Sequence, residues 1–308
     1  MQGERSGMRT VTLGADRVIS AKARAGRRMK PYLFILPILL FAVGFVYYPF
    51  FRTFLYSFSA VNVMGEITAF AGFDNYRYLF SRREFGAALG NTLRLTAMNV
   101  PLTMLITLLL GRLLKEKRFP GGLFETMIAA TMAVSMGSAA LTFRVMLNPT
   151  VGWINSALGI GVRWYEDRNT ALYGILLLTV WMGIGFNFLL FLAAFRNVDR
   201  DVTDQARLDG AGMVRVFFSV ELPLVSPTLL YALCTNTILA LMTSGPVMIL
   251  TKGGPSRSTT TLIYLMYTTG YGSGNYAMAA CVAAVTFLLT LAFTLAGLWA
   301  DGKRGDAR

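Results

Sequence analysis

Six stretches of this chain contain no Asp, Glu, Lys or Arg: residues 31–51, 95–111, 126–143, 169–195, 222–251 and 258–300. A helix needs about 20 mostly apolar residues to cross a bilayer, so each of the first five predicts one span. The sixth is too long for a single helix. Within it Tyr271-Gly272-Ser273-Gly274 reads as a turn. Residues 275–300 then form the span, and 259–270 form a short helix lying at, or dipping into, the outer face. The expected fold is an all-α membrane protein with six transmembrane helices in residues 31–300, preceded by a basic tail at 1–30 and followed by a short tail at 301–308.

One compact polar island interrupts this pattern between the fourth and fifth spans. It runs Asp204-Gln205-Ala206-Arg207-Leu208-Asp209-Gly210-Ala211 and on to Val220-Glu221-Leu222-Pro223. The composition suits two short helices joined at Gly210, with Thr203 or Asp204 starting the first and Pro223 opening the fifth span. Two readings fit such an element. It could seat in a groove on a soluble partner, or it could rest on the headgroups with Leu208, Val214, Phe217 and Phe218 in lipid.

Charge decides the orientation. About 19 of the 29 Lys and Arg fall in the N-terminal tail, the 112–118 loop, the 196–215 segment and the C-terminal tail, against about seven in the alternate loops. That bias places both termini and the polar island in the cytoplasm. The first 30 residues are basic and have no apolar core before Tyr32, so they read as a cytosolic tail and not as a targeting signal. A net charge of +13 is then accounted for by the positive-inside bias and by anionic lipid, with no nucleic acid partner implied.

Composition narrows the chemistry further. The chain is 55% hydrophobic with no His, and Cys234 and Cys281 both fall inside predicted spans as small packing residues. The commonest metal ligand and general base is therefore missing, and neither a metal site nor a membrane enzyme is expected. No carboxylate falls inside the six windows, which argues against a proton- or sodium-coupled carrier. No Gly-x-x-x-x-Gly-Lys-Ser/Thr phosphate loop occurs, so any ATP-driven work needs another subunit. Arg94 and Arg144 stand at the edges of their windows, where they could snorkel to the interface or line a route for an anion.

The spacing from Asp204 through Gly210 to Val220, Leu222 and Pro223 resembles the coupling loop of permease subunits in binding-protein-dependent ABC importers. Their pattern runs Glu-Ala-Ala, Gly, then aliphatic-x-Leu-Pro, and Asp204-Gln205-Ala206 stands here for Glu-Ala-Ala. Leu250-Thr251-Lys252-Gly253-Gly254-Pro255 resembles the Leu-Thr-x-Gly-Gly-Pro turn of the carbohydrate-importing branch. Tyr48-Pro49, Gly72-Phe73-Asp74-Asn75-Tyr76, Asn91-Thr92 and Gly152-Trp153-Ile154-Asn155 follow the same family order. The chain departs from the family at Thr131, Phe143, Gly185-Phe186 and Ser244-Gly245, positions that face or flank the cavity in relatives.

The resemblance covers about residues 30–300 and points to the first of the two paired permeases of maltose- or glycerol-3-phosphate-type importers. It implies the type I importer permease fold in a bacterial or archaeal inner membrane, with a second permease, an ABC ATPase dimer and an extracytoplasmic solute-binding protein as partners. It also implies that Asp204, Gln205, Ala206, Asp209, Gly210 and Ala211 sit in a cleft of the ATPase. ATP and Mg²⁺ would be bound by that ATPase, and this chain would carry no cofactor of its own.

The cargo implied is a sugar or oligosaccharide, or an anion such as glycerol 3-phosphate or a uronate. Sugars are recognised by aromatic faces and by amides or hydroxyls. Those residue types within the spans are Trp181, Asn187, Asn236, Thr243, Ser244, Tyr264 and Tyr267. Each could equally be an interhelical bond or an interface anchor, while Gly183 and Gly185 read as close helix packing.

Overall fold

A computed structural model describes residues 34–116 and 121–305. The basic tail at 1–30 lies outside these residues. The chain divides into two compact units, Met1–Leu55 and Tyr56–Arg308. The first helix, α1, runs Phe34–Ser57 and carries a π turn at Val43–Tyr47.

After Tyr56 a short antiparallel hairpin, β1 (Ser59–Val61) and β2 (Ile67–Phe70), precedes helix α2 (Asp74–Ser81). The Gly72–Tyr76 motif explains itself here. Gly72 adopts φ +55°, the Asn75 amide donates to the Ser57 and Ser59 carbonyls at 3.1 and 2.9 Å, and the Tyr76 hydroxyl donates to Ser57 Oγ at 2.8 Å. Burial pushes the Tyr76 phenol above its ordinary pKa.

Helix α3 (Arg83–Leu113) begins twelve residues before its charge-free window, so Arg94 lies well inside a helix and not at its edge. The third window is broken. Helix α4 (Gly121–Ala129) and a 3₁₀ turn at Ala130–Ala133 are followed, across a 105° bend, by α5 (Met136–Met146), which Ser135 caps by accepting from the Ser138 N–H at 3.2 Å. Helix α6 (Trp153–Leu158) leads to α7 (Ala171–Arg196), and α8 (Arg200–Leu208) forms the first half of the polar island.

Helix α9 starts at Met213–Val216, passes through a π turn at Phe217–Glu221 and continues as Leu222–Leu241. Pro223 therefore does not open the fifth span, which has already begun ten residues earlier. The freed backbone is absorbed by the π turn just before Pro223. Helices α10 (Gly245–Leu250) and α11 (Leu262–Tyr267), the latter extended by a π turn at Thr268–Gly272, precede α12 (Tyr276–Gly305). The turn, the short helix and the final span thus match the reading of the sixth window, although α12 continues through the expected tail at 301–305.

Among the described residues five helices are long and apolar enough to cross a membrane, and counting the bent α4–α5 pair as one span makes six. α3 and α7 form the most extensive pair. Small residues set their approach, since a Cβ on Gly111 would come within 3.0 Å of the Leu192 nitrogen and one on Gly183 within 3.0 Å of Thr103 Cγ2. Around this pair three buried clusters link α3 and α7 to α5 and α10, α3 to α2, α11 and α12, and α3 and α7 to α9.

Candidate coupling loop and translocation path

Asp199 caps α8, its carboxylate accepting from the Asp201 N–H at 3.0 Å. The cap is thus neither Thr203 nor Asp204. Thr203 is buried and turns its hydroxyl back to the Arg200 carbonyl, and Asp204 stands a turn inside the helix, its side chain 61% exposed and 3.2 Å from Arg207. The helix ends in a Schellman turn, with the Gly210 N–H donating to the Arg207 carbonyl and the Ala211 N–H to the Ala206 carbonyl, both at 3.0 Å. Gly210 takes φ +82°, and an added Cβ there would meet nothing within 4 Å. Backbone conformation and not crowding therefore selects glycine. The family spacing of Ala206, Gly210 and Ala211 is the spacing of this turn.

The loop is seated on the membrane helices by charges that the sequence reading did not single out. Glu221 is fully buried and accepts from Arg112 Nε at 2.6 Å and from Lys115 Nζ. Arg112 also donates to the Met213 carbonyl and lies 5.0 Å from the centre of the Phe217 ring. Beside it Arg196 pairs with Glu125 at 2.5 and 3.1 Å and donates to the Leu114 and Lys115 carbonyls, which closes the C-terminal end of α3. The end of α3, the end of α7, the start of α4 and the π turn of α9 are thereby tied together. A sequence signal existed: Glu221 is a carboxylate flanked by apolar residues at the mouth of a span, opposite the basic residues that end another.

The seated loop projects an apolar surface. Leu208, Met213, Val214 and Phe218 are 87%, 70%, 71% and 60% exposed, and Gln205, Asp209 and Gly210 are exposed beside them. Phe217, grouped with these in the headgroup reading, instead turns inward against Phe195.

The substrate-path candidates stand in several helix contacts, with Trp181 and Tyr264 packed on one buried cluster. Asn187 and Asn236 bond to each other reciprocally at 3.0 and 2.7 Å, and each gives its second N–H to its own helix, at Gly183 and Ala232. They form a clamp between α7 and α9 with both donors occupied. Trp181 packs against Phe143 at 5.6 Å between ring centres. Thr243 and Ser244 lie in the break between α9 and α10, where the Thr243 carbonyl accepts from Thr261. Tyr264 lines a cavity of about 570 Å³, and Tyr267 stacks on Tyr271 at 5.4 Å. Two departures from the family face each other, because a Cβ on Gly185 would run into Thr131 Oγ1 and come 2.7 Å from Met132 Cγ.

The Leu250–Pro255 turn forms a strap closed by hydroxyls. Thr259 Oγ1 lies 2.8 Å from both Thr251 Oγ1 and the Gly254 carbonyl, with its single proton available to the carbonyl, and Thr260 donates to the Gly253 carbonyl at 3.1 Å. Gly253 has φ +78°, and a Cβ would lie 2.7 Å from Thr260 and Tyr264. Asn91 and Thr92 fasten the strap to α3. The Asn91 amide donates to the Arg257 and Thr260 carbonyls, and Thr92 Oγ1 accepts from the Leu262 N–H at 2.9 Å.

Apolar spans with a polar loop seated at one end and a strapped turn at the other define a permease component of an ABC importer. The chain belongs to the family of binding-protein-dependent transport system inner membrane components, matched over residues 28–304. It is 33% identical to the sn-glycerol-3-phosphate transport system permease protein UgpA of Pectobacterium atrosepticum, over 86% of this chain and 91% of that one. It is 30% identical to the UgpA protein of Escherichia coli O6:K15:H31, over 90% and 95%. Among solved structures it resembles a chain of a bacterial alginate ABC transporter in complex with an alginate pentasaccharide-bound periplasmic protein. There the TM-score is 0.75 at 19% identity, covering 88% of this chain and 93% of that chain.

Proposed function

We propose that this chain forms half of the translocation path for a sugar or sugar-derived solute, paired with a second permease and driven by an ABC ATPase dimer that docks on α8 and the start of α9. The solute arrives on an extracytoplasmic binding protein, ATP and Mg²⁺ are held by the ATPase, and both termini of this chain lie in the cytoplasm. The observation that carries the reading is the seated loop: an exposed apolar rim around a Schellman turn, joined through Glu221, Arg112 and Lys115 to the ends of two membrane helices. A bare amphipathic helix on headgroups needs no such seat. A soluble partner that pulls on the rim moves α3 and α9 with it.

The carrier alternative is not favoured by the one carboxylate buried in α9, because Glu221 is neutralised by two cations at the end of the helix and offers no free site for a coupling ion. The test is reconstitution. The complex of both permeases, the ATPase and the binding protein should show solute-stimulated ATP turnover and uptake in proteoliposomes, and this chain alone should show neither. A cysteine introduced at position 75 or 257 should label from outside and one at position 205 from inside. Turnover by this chain without partners, or reversed labelling, would overturn the reading.

A further inference from the structure

At the end of α3 remote from the coupling loop a groove of about 840 Å³ opens along the first half of that helix. Its floor is one helical face, in which Ala87, Gly90, Arg94 and Ala97 recur at three- and four-residue steps. The floor is open above its glycines, since an added Cβ on Gly86 or Gly90 would meet nothing within 4 Å. Arg94 rises from this floor eleven residues inside the helix, about 16 Å along its axis from Arg83.

Two more guanidinium groups close the walls, Arg168 ahead of α7 and Arg257 on the strap. Arg257 is paired with Glu84 at 2.6 Å, whereas neither Arg94 nor Arg168 has a hydrogen bond or ion pair among the described residues. The strap holds Lys252, Ser256 and Arg257 at φ +52°, +50° and +62°, conformations that side-chain-bearing residues rarely adopt and that structures retain at functional sites. Arg94 stands at the edge of the charge-free window 95–111, about 27 Å along the axis from Arg112, where an exposed guanidinium without a partner can meet a charged species from the aqueous side.

We propose that this groove is an entry site for negatively charged cargo, a carboxylate or phosphate group received by Arg94 and Arg168 while Asn169 and Ser256 line the space beside it. Guanidinium groups bind both anions through paired N–H donors. The site sits on this chain's own path, so the proposal rests on the permease reading above and narrows its substrate class. It assigns no such role to Arg144, which does not line this groove.

The test uses the assembled importer carrying Ala97→Cys in neutral phosphatidylcholine vesicles, with the thiol titrated by an uncharged maleimide at constant ionic strength and the parent complex as background. Glucuronate and inorganic phosphate should slow labelling in a saturable way and glucose should not, and Arg94→Gln should weaken that protection by about tenfold with Arg94→Lys recovering part of it. Adding phosphatidylglycerol distinguishes a lipid headgroup from a soluble anion. If that lipid alone protects the thiol, the groove is a lipid site and the proposal falls. Equal protection by glucose, or protection by neither anion, overturns it. So does a thiol that never labels in the complex, because the second permease would then cover the groove. None of these results touches the permease reading, which fails only if the wild-type complex shows no solute-stimulated turnover.

Discussion

The two ends of helix α3 are built on opposite electrostatic plans. At the coupling end Arg112 and Lys115 are both taken up by Glu221, and Arg196 by Glu125 and two carbonyls, so the basic groups of the seat are matched. At the remote end Arg94 and Arg168 line an open groove, and neither guanidinium has a hydrogen bond or ion pair among the described residues. Backbone conformation follows the same division. The turn after α8 puts its positive φ on Gly210 alone with open space around it, whereas the strap puts it on Gly253 and also on Lys252, Ser256 and Arg257. On the proposed reading, a joint that transmits force needs one geometry, which saturated ion pairs provide, and a mouth for a charged solute needs charge left unpaired until the solute arrives.

The comparison breaks most directly at Glu221. Glu221→Gln leaves two partly buried cations without their counter-ion, and removing one partner of a fully buried pair costs about 3–5 kcal/mol, an upper bound here. The expected outcome is a complex that inserts but loses the ATPase on purification or hydrolyses ATP without uptake. A Glu221→Gln complex that transports normally would mean that the seat is not part of the joint. Gly210→Val comes next. It places a β-branched residue in the left-handed region, at a cost of about 1–2 kcal/mol with no steric clash to add. Co-purification of the ATPase should weaken while the heat stability of the membrane domain stays within a few degrees.

A smaller effect sharpens the contrast between structural and transport roles within the spans. In a double-mutant cycle of Asn187→Ala and Asn236→Ala, the coupling between the two amides should be about 0.6–1.7 kcal/mol in thermal unfolding. Selectivity among solutes should not change. A selectivity change from either single variant would show that the clamp opens to the cargo.

How far the sequence could be read follows from the same physics. Charge-free windows reveal spans because lipid excludes charge, so α1, α3, α7, α9 and α12 were visible, and so was the turn before α12. The 105° break at Val134-Ser135 was not, because neither Gly nor Pro marks it and Ser135 signals a cap only once the bend exists. The island showed its glycine turn, since Gly210 between polar residues carries a φ requirement, but its helix start was placed at Thr203 or Asp204 when Asp199 does the capping. Asx caps are local and several acids compete for the position. Glu221 with Arg112 and Lys115 was hidden by distance, more than a hundred residues separating partners that only the α3–α9 packing brings together. The asparagines stood out as polar residues in spans, yet their composition could not distinguish a ligand site from a mutual pair.

The smallest expected effect is at Asp204, and it separates the loop's own stability from its contact with a partner. The carboxylate is 61% exposed, it does not cap α8, and its pairing with Arg207 at 3.2 Å is a surface ion pair of the kind that contributes less than about 1 kcal/mol. Asp204→Ala should therefore leave thermal stability unchanged, and alanine's better helix propensity offsets part of the lost pair. Any loss of function must then come from outside the chain, from a donor on the docked ATPase. The measurement is ATP turnover and uptake in proteoliposomes beside a melting curve of the same complex. A moderate fall in uptake per ATP at constant melting temperature places Asp204 at the partner contact, whereas Asp204→Ala and Gly210→Val both transporting normally would remove α8 from the joint altogether.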